Sequence, residues 1–300
     1  MAYVAYYLCG EENNMIDLLV LNYNDYDTTV KLVSSVVNYS TISHILVVDN
    51  CSTDDSYINL LKINNSKIDV IRANYNGGYG AGNNLGINYL FDKYKSKYIL
   101  LANPDVSINE SSILKMEKFL ESNPNYVAVA PHMCDKNGRR QANAGWNIPK
   151  KSSYILSMSI VGAFLIHPGS VDWDNHLGKN YIDVDAISGS LFMMNSQLMM
   201  NNGMYDENVF LYCEETILGF KFKKAGLKSA ILTDDEYIHH HSVSISKTYK
   251  TELSKRKLIL KSRHYVLKNY YNASIIECLL ARFFEGVSLL EVIIISKYRK

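Results

Sequence analysis

The sequence predicts an α/β protein, with a mostly parallel central sheet flanked by helices and a helical C-terminal extension. Three observations point there. Between residues 15 and 131, short apolar runs of strand length alternate with stretches of helix length, the pattern of a parallel sheet covered on both faces. Each apolar run ends in a polar loop, at the edge where such sheets bind ligands. From Lys250 onward the chain reads as helix alone.

The elements follow in order. Residues 15–21 form an apolar run ending in Asn22-Tyr23-Asn24-Asp25, a buried strand leading into a loop, and residues 28–38 read as its helix. Residues 44–48 are the second strand, Asp49-Asn50-Cys51-Ser52 its loop, and residues 54–63 the next helix. A short strand at 68–72, a glycine-rich loop, a helix at 84–94 and a strand at 98–102 repeat the pattern. A helix at 111–121 and a strand at 126–131 complete the alternation. Residues 134–183 carry no clear periodicity and are expected to be irregular. A strand at 187–195, a helix near 197–201, an acidic segment at 205–226 ending in a helix, and a strand at 229–232 follow.

Composition narrows the function. A chain of 300 residues with 47% hydrophobic content buries a large core, as one big domain or one domain with an appendage. A net charge of +1 lacks the field that non-specific nucleic-acid binding needs, so nucleic acid is excluded as a partner. Cys9, Cys51, Cys134, Cys213 and Cys278 are scattered, with no C-x-x-C spacing, which argues against a disulfide framework or zinc knuckle. The segment MAYVAYYLCGEENN lacks a basic start and a long apolar run, so a cytoplasmic protein with reduced thiols is expected. No stretch reaches the roughly 18 uncharged apolar residues of a spanning helix.

Five polar clusters carry the candidate chemistry. Asn103-Pro104-Asp105 directly follows the apolar YILLA, so Asp105 emerges at the mouth of the sheet. A carboxylate there can hold Mg²⁺ or Mn²⁺ together with water and two phosphates of a ligand; the triplet can equally make a turn. Asp49, at the end of the second strand, can accept from a base N–H or a ribose hydroxyl, or form an Asx turn; Asn22 and Asn24 carry the same two readings. The run from Asn74 to Asn84, with Asn76, Gly77 and Gly78 at its centre, has four glycines in six residues. It can bring free N–H groups to a phosphate or be a plain flexible loop. It matches neither G-x-G-x-x-G nor G-x-x-x-x-G-K-[ST], which removes the main support for a dehydrogenase or P-loop protein.

Glu214 and Glu215 precede a helix, where a carboxylate either complements the helix dipole or accepts the proton of an attacking hydroxyl. His239-His240-His241, with Ser242 and Ser244, offers metal ligands or phosphate donors.

Taken together, these residues resemble the family 2 inverting glycosyltransferases of the GT-A fold, particularly the rhamnosyltransferase-like branch that builds bacterial surface polysaccharides. LLVLNYN, ILVVDNCSTD, NYNGGYGAGNNLGINY, ILLANPDV, DAISGSLFMMN, YDENVFLYCEET and HHHSVS occur in the family's order across residues 15–245. The resemblance implies a Rossmann-like transferase domain over residues 1–249, with a nucleotide-sugar-binding half at 15–131 and an acceptor-facing half at 132–249, and a helical extension at 250–300. It makes Asp49 the base-binding acid, places Asn22 and Asn24 in the nucleoside pocket, and matches Asp105 to the last acid of the metal-binding Asp-x-Asp motif, whose first acid is replaced by Asn103. Glu215 stands where the family has its catalytic base, with Glu in place of Asp, so Glu214 could share the role. His240 matches the histidine near metal and diphosphate, with His241 as the second assignment, and Ser188-Gly189 the loop beside donor sugar and acceptor.

The implied reaction is a single displacement from a nucleotide sugar, dTDP-rhamnose or a UDP-sugar, to a saccharide or lipid-linked saccharide. The Asn103 and Glu215 departures leave open an inactive nucleotide-sugar-binding protein. A nucleotidyltransferase would need a basic, glycine-rich triphosphate loop near the N-terminus, and none is evident. The basic and apolar tail could lie on an anionic membrane, or pack on the core or on a second subunit as a homodimer. Trp146, Trp173 and His176 are candidate sugar-stacking groups or core.

Overall fold

The computed structural model describes residues 16–173, 178–240 and 251–298. The first half alternates as expected: β1 (Ile16–Asn22), α1 (Tyr26–Val36), β2 (Ile42–Asp49), α2 (Ser56–Leu60), β3 (Ile68–Arg72), α3 (Tyr79–Tyr94), β4 (Tyr98–Ala102), β5 (Val106–Ser107), α4 (Glu110–Ser122) and β6 (Tyr126–Cys134). Then come β7 (Gly145–Trp146), α5 (Lys151–Leu156), α6 (Ile160–Ile166), β8 (Tyr181–Val184), β9 (Ala186–Ile187), β10 (Leu191–Asn195), α7 (Ser196–Asn202), α8 (Glu214–Lys224) and β11 (Lys228–His239). Two long helices, α9 (Glu252–Asn269) and α10 (Ile275–Tyr298), close the chain.

Among the described residues the main sheet has nine strands in the order β3-β2-β1-β4-β10-β6-β11-β5, with β8 pairing on β11. β1, β2, β3 and β4 are mutually parallel, whereas β10 runs antiparallel between β4 and β6. Both faces are buried, and successive side chains go to opposite sides. Leu18, Val20, Val47 and Leu100 join one core, and Leu19, Leu46, Val48 and Leu101 the other. That two-sided burial is why the strands read as continuous apolar runs rather than alternating ones.

Three expectations are corrected. The glycine-rich stretch is loop only as far as Gly78, because α3 begins at Tyr79 rather than near Asn84. The later glycines let α3 press onto the sheet: a Cβ at Gly82 would lie 2.5 Å from Leu21 Cδ1, and one at Gly86 2.3 Å from Leu19 Cδ1. The expected strand at 187–195 is broken at residues 188–190 into β9 and β10.

Nor is the span from 134 to 183 irregular. It contains α5 and α6, and Tyr154, Ile155 and Met158 share a third core with Leu260, Val266 and Leu267 of α9 and Ala281 of α10. This core, together with Val209 and Ile217, joins the C-terminal helices to the rest of the molecule.

Candidate active site

The parallel register of β1, β2 and β4 brings their C-terminal ends to one edge of the sheet. Asn22 and Asp49 lie opposite each other in register, and Asn103 follows the end of β4 one strand away. Their side chains form a buried hydrogen-bonded floor. Asn22 Nδ2 donates to Asp49 Oδ1 (2.9 Å) and Ser52 Oγ (3.2 Å), while its Oδ1 accepts from Thr29 Oγ1 at 2.9 Å. Asn24 sits in the left-handed region at φ 52 and holds the following loop, its Oδ1 accepting from the Thr53 backbone N–H at 2.8 Å.

Asp49 is completely buried. Its Oδ2 accepts from the Ser52 backbone N–H at 3.0 Å and faces Arg72 Nε at 3.4 Å. Asp49, expected to accept from a base or a ribose hydroxyl, thus has both carboxylate oxygens engaged by protein groups. The side chain that it presents is Asn50, whose Nδ2 bonds Asn76 Oδ1 (3.1 Å) and the Gly78 carbonyl (3.1 Å). Asn50 Oδ1 is buried with no hydrogen-bond partner among the described residues. Such an acceptor has a free lone pair for a ligand donor. Neither Asn50 nor Arg72 was singled out from the sequence, since one asparagine beside a strand-end acid carries no signal of its own.

Asn76 Oδ1 also accepts from the Gly78 N–H at 3.0 Å. Gly78 itself, at φ 93, passes so close to the segment before α8 that a Cβ would fall 2.0 Å from the Phe210 carbonyl oxygen. Only glycine fits there. The next residue ties the same segment down, with the Tyr79 N–H donating to the Phe210 carbonyl at 3.0 Å.

β10 supplies the other wall. Because it runs antiparallel to β4, with Leu191 opposite Ala102, residues 188–190 lie beside the loop that leaves β4. The Asn103 N–H donates to the Ser190 carbonyl at 2.8 Å. The neighbouring Gly189 N–H donates to Glu215 Oε1 at 3.2 Å, and the Gly189 carbonyl accepts from Tyr79 Oη at 2.5 Å. The short loop at residues 188–190 thus links Asn103, Tyr79 and Glu215. A Cβ on Gly189 would lie 2.6 Å from Glu215 Oε1, so the approach depends on glycine. Ser188 Oγ lies 3.0 Å from Ser190 Oγ, which is 2.6 Å from Tyr237 Oη.

Glu214 and Glu215 open α8 after two residues in the left-handed region, Tyr212 (φ 70) and Cys213 (φ 71). Strained backbone of this kind persists where surrounding contacts enforce it. Burial pushes both carboxyl pKa values above the ordinary carboxylate range, Glu214 further through its neighbour Glu215, while the Gly189 N–H opposes the shift at Glu215. Tyr79 and Tyr205, edge to face at 5.8 Å, have hydroxyl pKa values raised well above normal by burial and by the same carboxylates.

Asp105 lies beside His239, with 3.3 Å between Asp105 Oδ1 and His239 Nε2. The family resemblance assigns His240 to this place. His239, not His240, meets the carboxylate, because β11 pairs on β5 with His239 opposite Val106, and adjacent strand residues face opposite ways. The His240 backbone N–H bonds the Asp105 carbonyl at 2.8 Å, and its exposed ring places Nε2 2.8 Å from Ser107 Oγ. His241, Ser242 and Ser244 lie outside the described residues, as does His176. Trp146 Nε1 donates to Thr216 Oγ1 at 3.2 Å, one residue beyond Glu215, whereas Trp173 packs edge-on to His132.

Among the described residues no group of three or more His, Cys, Asp or Glu side chains could hold a metal by itself. The donor set does fit a hard cation completed by phosphate and water: one carboxylate, mostly enclosed, with an imidazole beside it.

The family model described as "Glycosyl transferase family 2" matches residues 17–171. The chain is 24% identical over 269 residues to the low-salt glycan biosynthesis hexosyltransferase Agl10 of Haloferax volcanii, covering 87% of this chain and 80% of that protein. It is also 24% identical to the rhamnosyltransferase WbbL of Escherichia coli (84% and 97% covered). The same identity relates it to an N-acetylglucosaminyl-diphospho-decaprenol L-rhamnosyltransferase of Mycobacterium tuberculosis (70% of each). Among solved structures, GalNAc-T7 with UDP, GalNAc and Mn²⁺ superposes with a TM-score of 0.57 at 14% identity, covering 77% of this chain and 44% of that one. S. aureus TarS 1-349 superposes at 0.51 and 16%, covering 90% and 70%.

Proposed function

Because the chain belongs to glycosyl transferase family 2, in its rhamnosyltransferase-like branch and with the GT-A fold, we propose that it transfers a sugar from a nucleotide sugar to a saccharide acceptor with inversion. The observation that carries this reading is the peptide of Gly189. Its N–H holds Glu215 while the carbonyl of the following Ser190 holds Asn103, which brings a partly buried carboxylate and the Asn103-Pro104-Asp105 segment to one short loop.

Glu215 takes the proton from the acceptor hydroxyl, and the resulting oxygen attacks the anomeric carbon on the side opposite the diphosphate. The raised pKa makes Glu215 a stronger base than a free carboxylate, and the Gly189 N–H holds its Oε1. Glu214, directly before it in the first turn of α8, shares the site. Asp105, with His239 at its side, would hold Mg²⁺ or Mn²⁺ against the donor phosphates, where the cation neutralises charge on the departing diphosphate. Asn22, Asn24 and Asp49 shape the nucleoside pocket and Asn50 faces it, while Asn76, Gly77 and Gly78 line its glycine-rich side. Ser188 and Gly189 border the donor sugar.

The names of two relatives favour rhamnose as the transferred sugar, which dTDP-rhamnose would supply, and that of the third a hexose, which a UDP-sugar would supply. The M. tuberculosis name favours a lipid-linked acceptor. Residues 1–249 would form the transferase domain and 250–300 the extension packed on it. A thermal-shift series with dTDP-rhamnose and UDP-hexoses, with and without Mn²⁺, tests the donor. The proposal expects a metal-dependent rise in melting temperature for a nucleotide sugar, which Asp105→Ala abolishes. Stabilisation by none of them would overturn it.

A further inference from the structure

The acceptor chemistry leaves unexplained a broad apolar surface on the C-terminal side. Phe164 and Leu165 on α6, and Leu279, Phe283, Leu290 and Ile294 on α10, are each more than half exposed. Soluble surfaces rarely gather so many large apolar groups without a partner. The two helices are locked together, since the Glu291 carboxylate accepts from the Ile160 and Val161 N–H groups at 2.6 and 3.2 Å and so caps α6. On α10 the apolar positions 276, 279, 283, 290 and 294 fall on one face.

The acids of this region point elsewhere. Glu277 binds Lys151 and Ser274, Glu285 binds His264 and Arg282, and Glu291 binds α6. No other acid occurs between Arg256 and Lys300. The cations, in contrast, are exposed. Lys257, Lys261 and Lys268 on α9, with Arg282 on α10, line a groove of about 590 Å³ between the two helices.

We propose that α6 and α10 dock the protein in the plane of an anionic lipid surface, apolar side chains entering the acyl boundary and the α9 lysines meeting phosphate headgroups. Charge selects this occupant. A second copy would meet the patch with the same patch, cations included, and has no exposed acid there to receive them. A negatively charged bilayer satisfies apolar face and cations at once. The helix lies on the membrane rather than crossing it: among the described residues no helix is long and apolar enough to span, and α10 carries four charges between Ile275 and Ile295.

The test is flotation of the full chain with vesicles of phosphatidylcholine alone or mixed with phosphatidylglycerol. The protein should float with the mixed vesicles and far less with the neutral ones. Leu279→Glu/Phe283→Glu/Ile294→Glu should abolish flotation. Lys257→Gln/Lys261→Gln/Lys268→Gln should weaken it by about a hundredfold in partition coefficient, from about fivefold per lysine. Each variant should keep the wild-type melting temperature and its nucleotide-sugar thermal shift, so the result is independent of the transfer reaction. Absence of flotation, flotation unchanged by both variants, or a dimer in sedimentation that the triple glutamate variant dissolves without any vesicle binding would each overturn the proposal.

Discussion

Glu215 gains its reactivity from the groups around it, and those groups make separable predictions. Glu215→Gln keeps the hydrogen bond from Gly189 but removes the base, so transfer should fall by about 10²- to 10⁴-fold with donor binding intact. Since burial raises the pKa of Glu215, the acid limb of the wild-type rate profile should lie above the range of a free carboxylate, activity rising with pH through it. Tyr79→Phe leaves the Gly189 carbonyl without its donor and should lower kcat more than it raises donor KM, a split that steady-state kinetics reads directly.

Glu214 tests the same electrostatics through stability. A carboxyl whose native pKa is raised binds its proton more tightly when folded, so stability is greatest below the unfolded pKa and declines as pH rises through the native one. Glu214 Oε1 also lacks a hydrogen-bond partner among the described residues. Glu214→Gln should therefore raise the melting temperature near pH 8, with the gain shrinking as pH falls towards the unfolded value; an equal gain at all pH values would contradict this.

At the scale of the element, the alternating first half was legible because β1, β2, β4 and β6 are buried on both faces and each helix is local. What periodicity could not show depended on partners distant in sequence. α5 is apolar because α9 and α10 cover it more than 100 residues later, through contacts such as Arg263 with the Ser157 carbonyl at 2.7 Å. The register that brings His239 rather than His240 to Asp105 is that of β11 on β5, beyond an irregularity in β11 between Leu232 and Glu236 that a run of Thr and Asp conceals.

The glycines between Asn74 and Asn84 were read as phosphate-binding freedom or a flexible loop, yet Gly82, and Gly86 beyond that run, serve helix-to-sheet contact. Gly86→Ala would add a methyl 2.3 Å from Leu19 Cδ1 and 3.0 Å from Val48 Cγ2, both in the core. The overpacking, about 1–3 kcal/mol, exceeds the gain in helix propensity of up to about 1 kcal/mol. Urea titration should find the variant less stable than wild type.

Across the whole molecule, the C-terminal helices support the site from behind. Tyr265 and Tyr270 donate to Asp206 Oδ2 at 2.9 and 2.7 Å, and Ser262 Oγ to the Leu211 carbonyl at 2.7 Å. The segment they hold also receives Tyr79 and runs into Glu214 and Glu215. Removing residues 251–300 should uncover Tyr154, Met158 and Ile217, lower the melting temperature and cut transfer even to a water-soluble acceptor; an equally stable and active truncation would show that the helices act only at a surface.

The central claim is that one sheet edge joins a metal-binding carboxylate to a catalytic base. It is tested most directly by measuring sugar transfer and nucleotide-sugar binding side by side for wild type, Asp105→Ala and Glu215→Gln. The account predicts that Asp105→Ala loses both metal-dependent donor binding and transfer, while Glu215→Gln binds donor as wild type does and transfers about 10²- to 10⁴-fold more slowly. Transfer that survives both substitutions would contradict it.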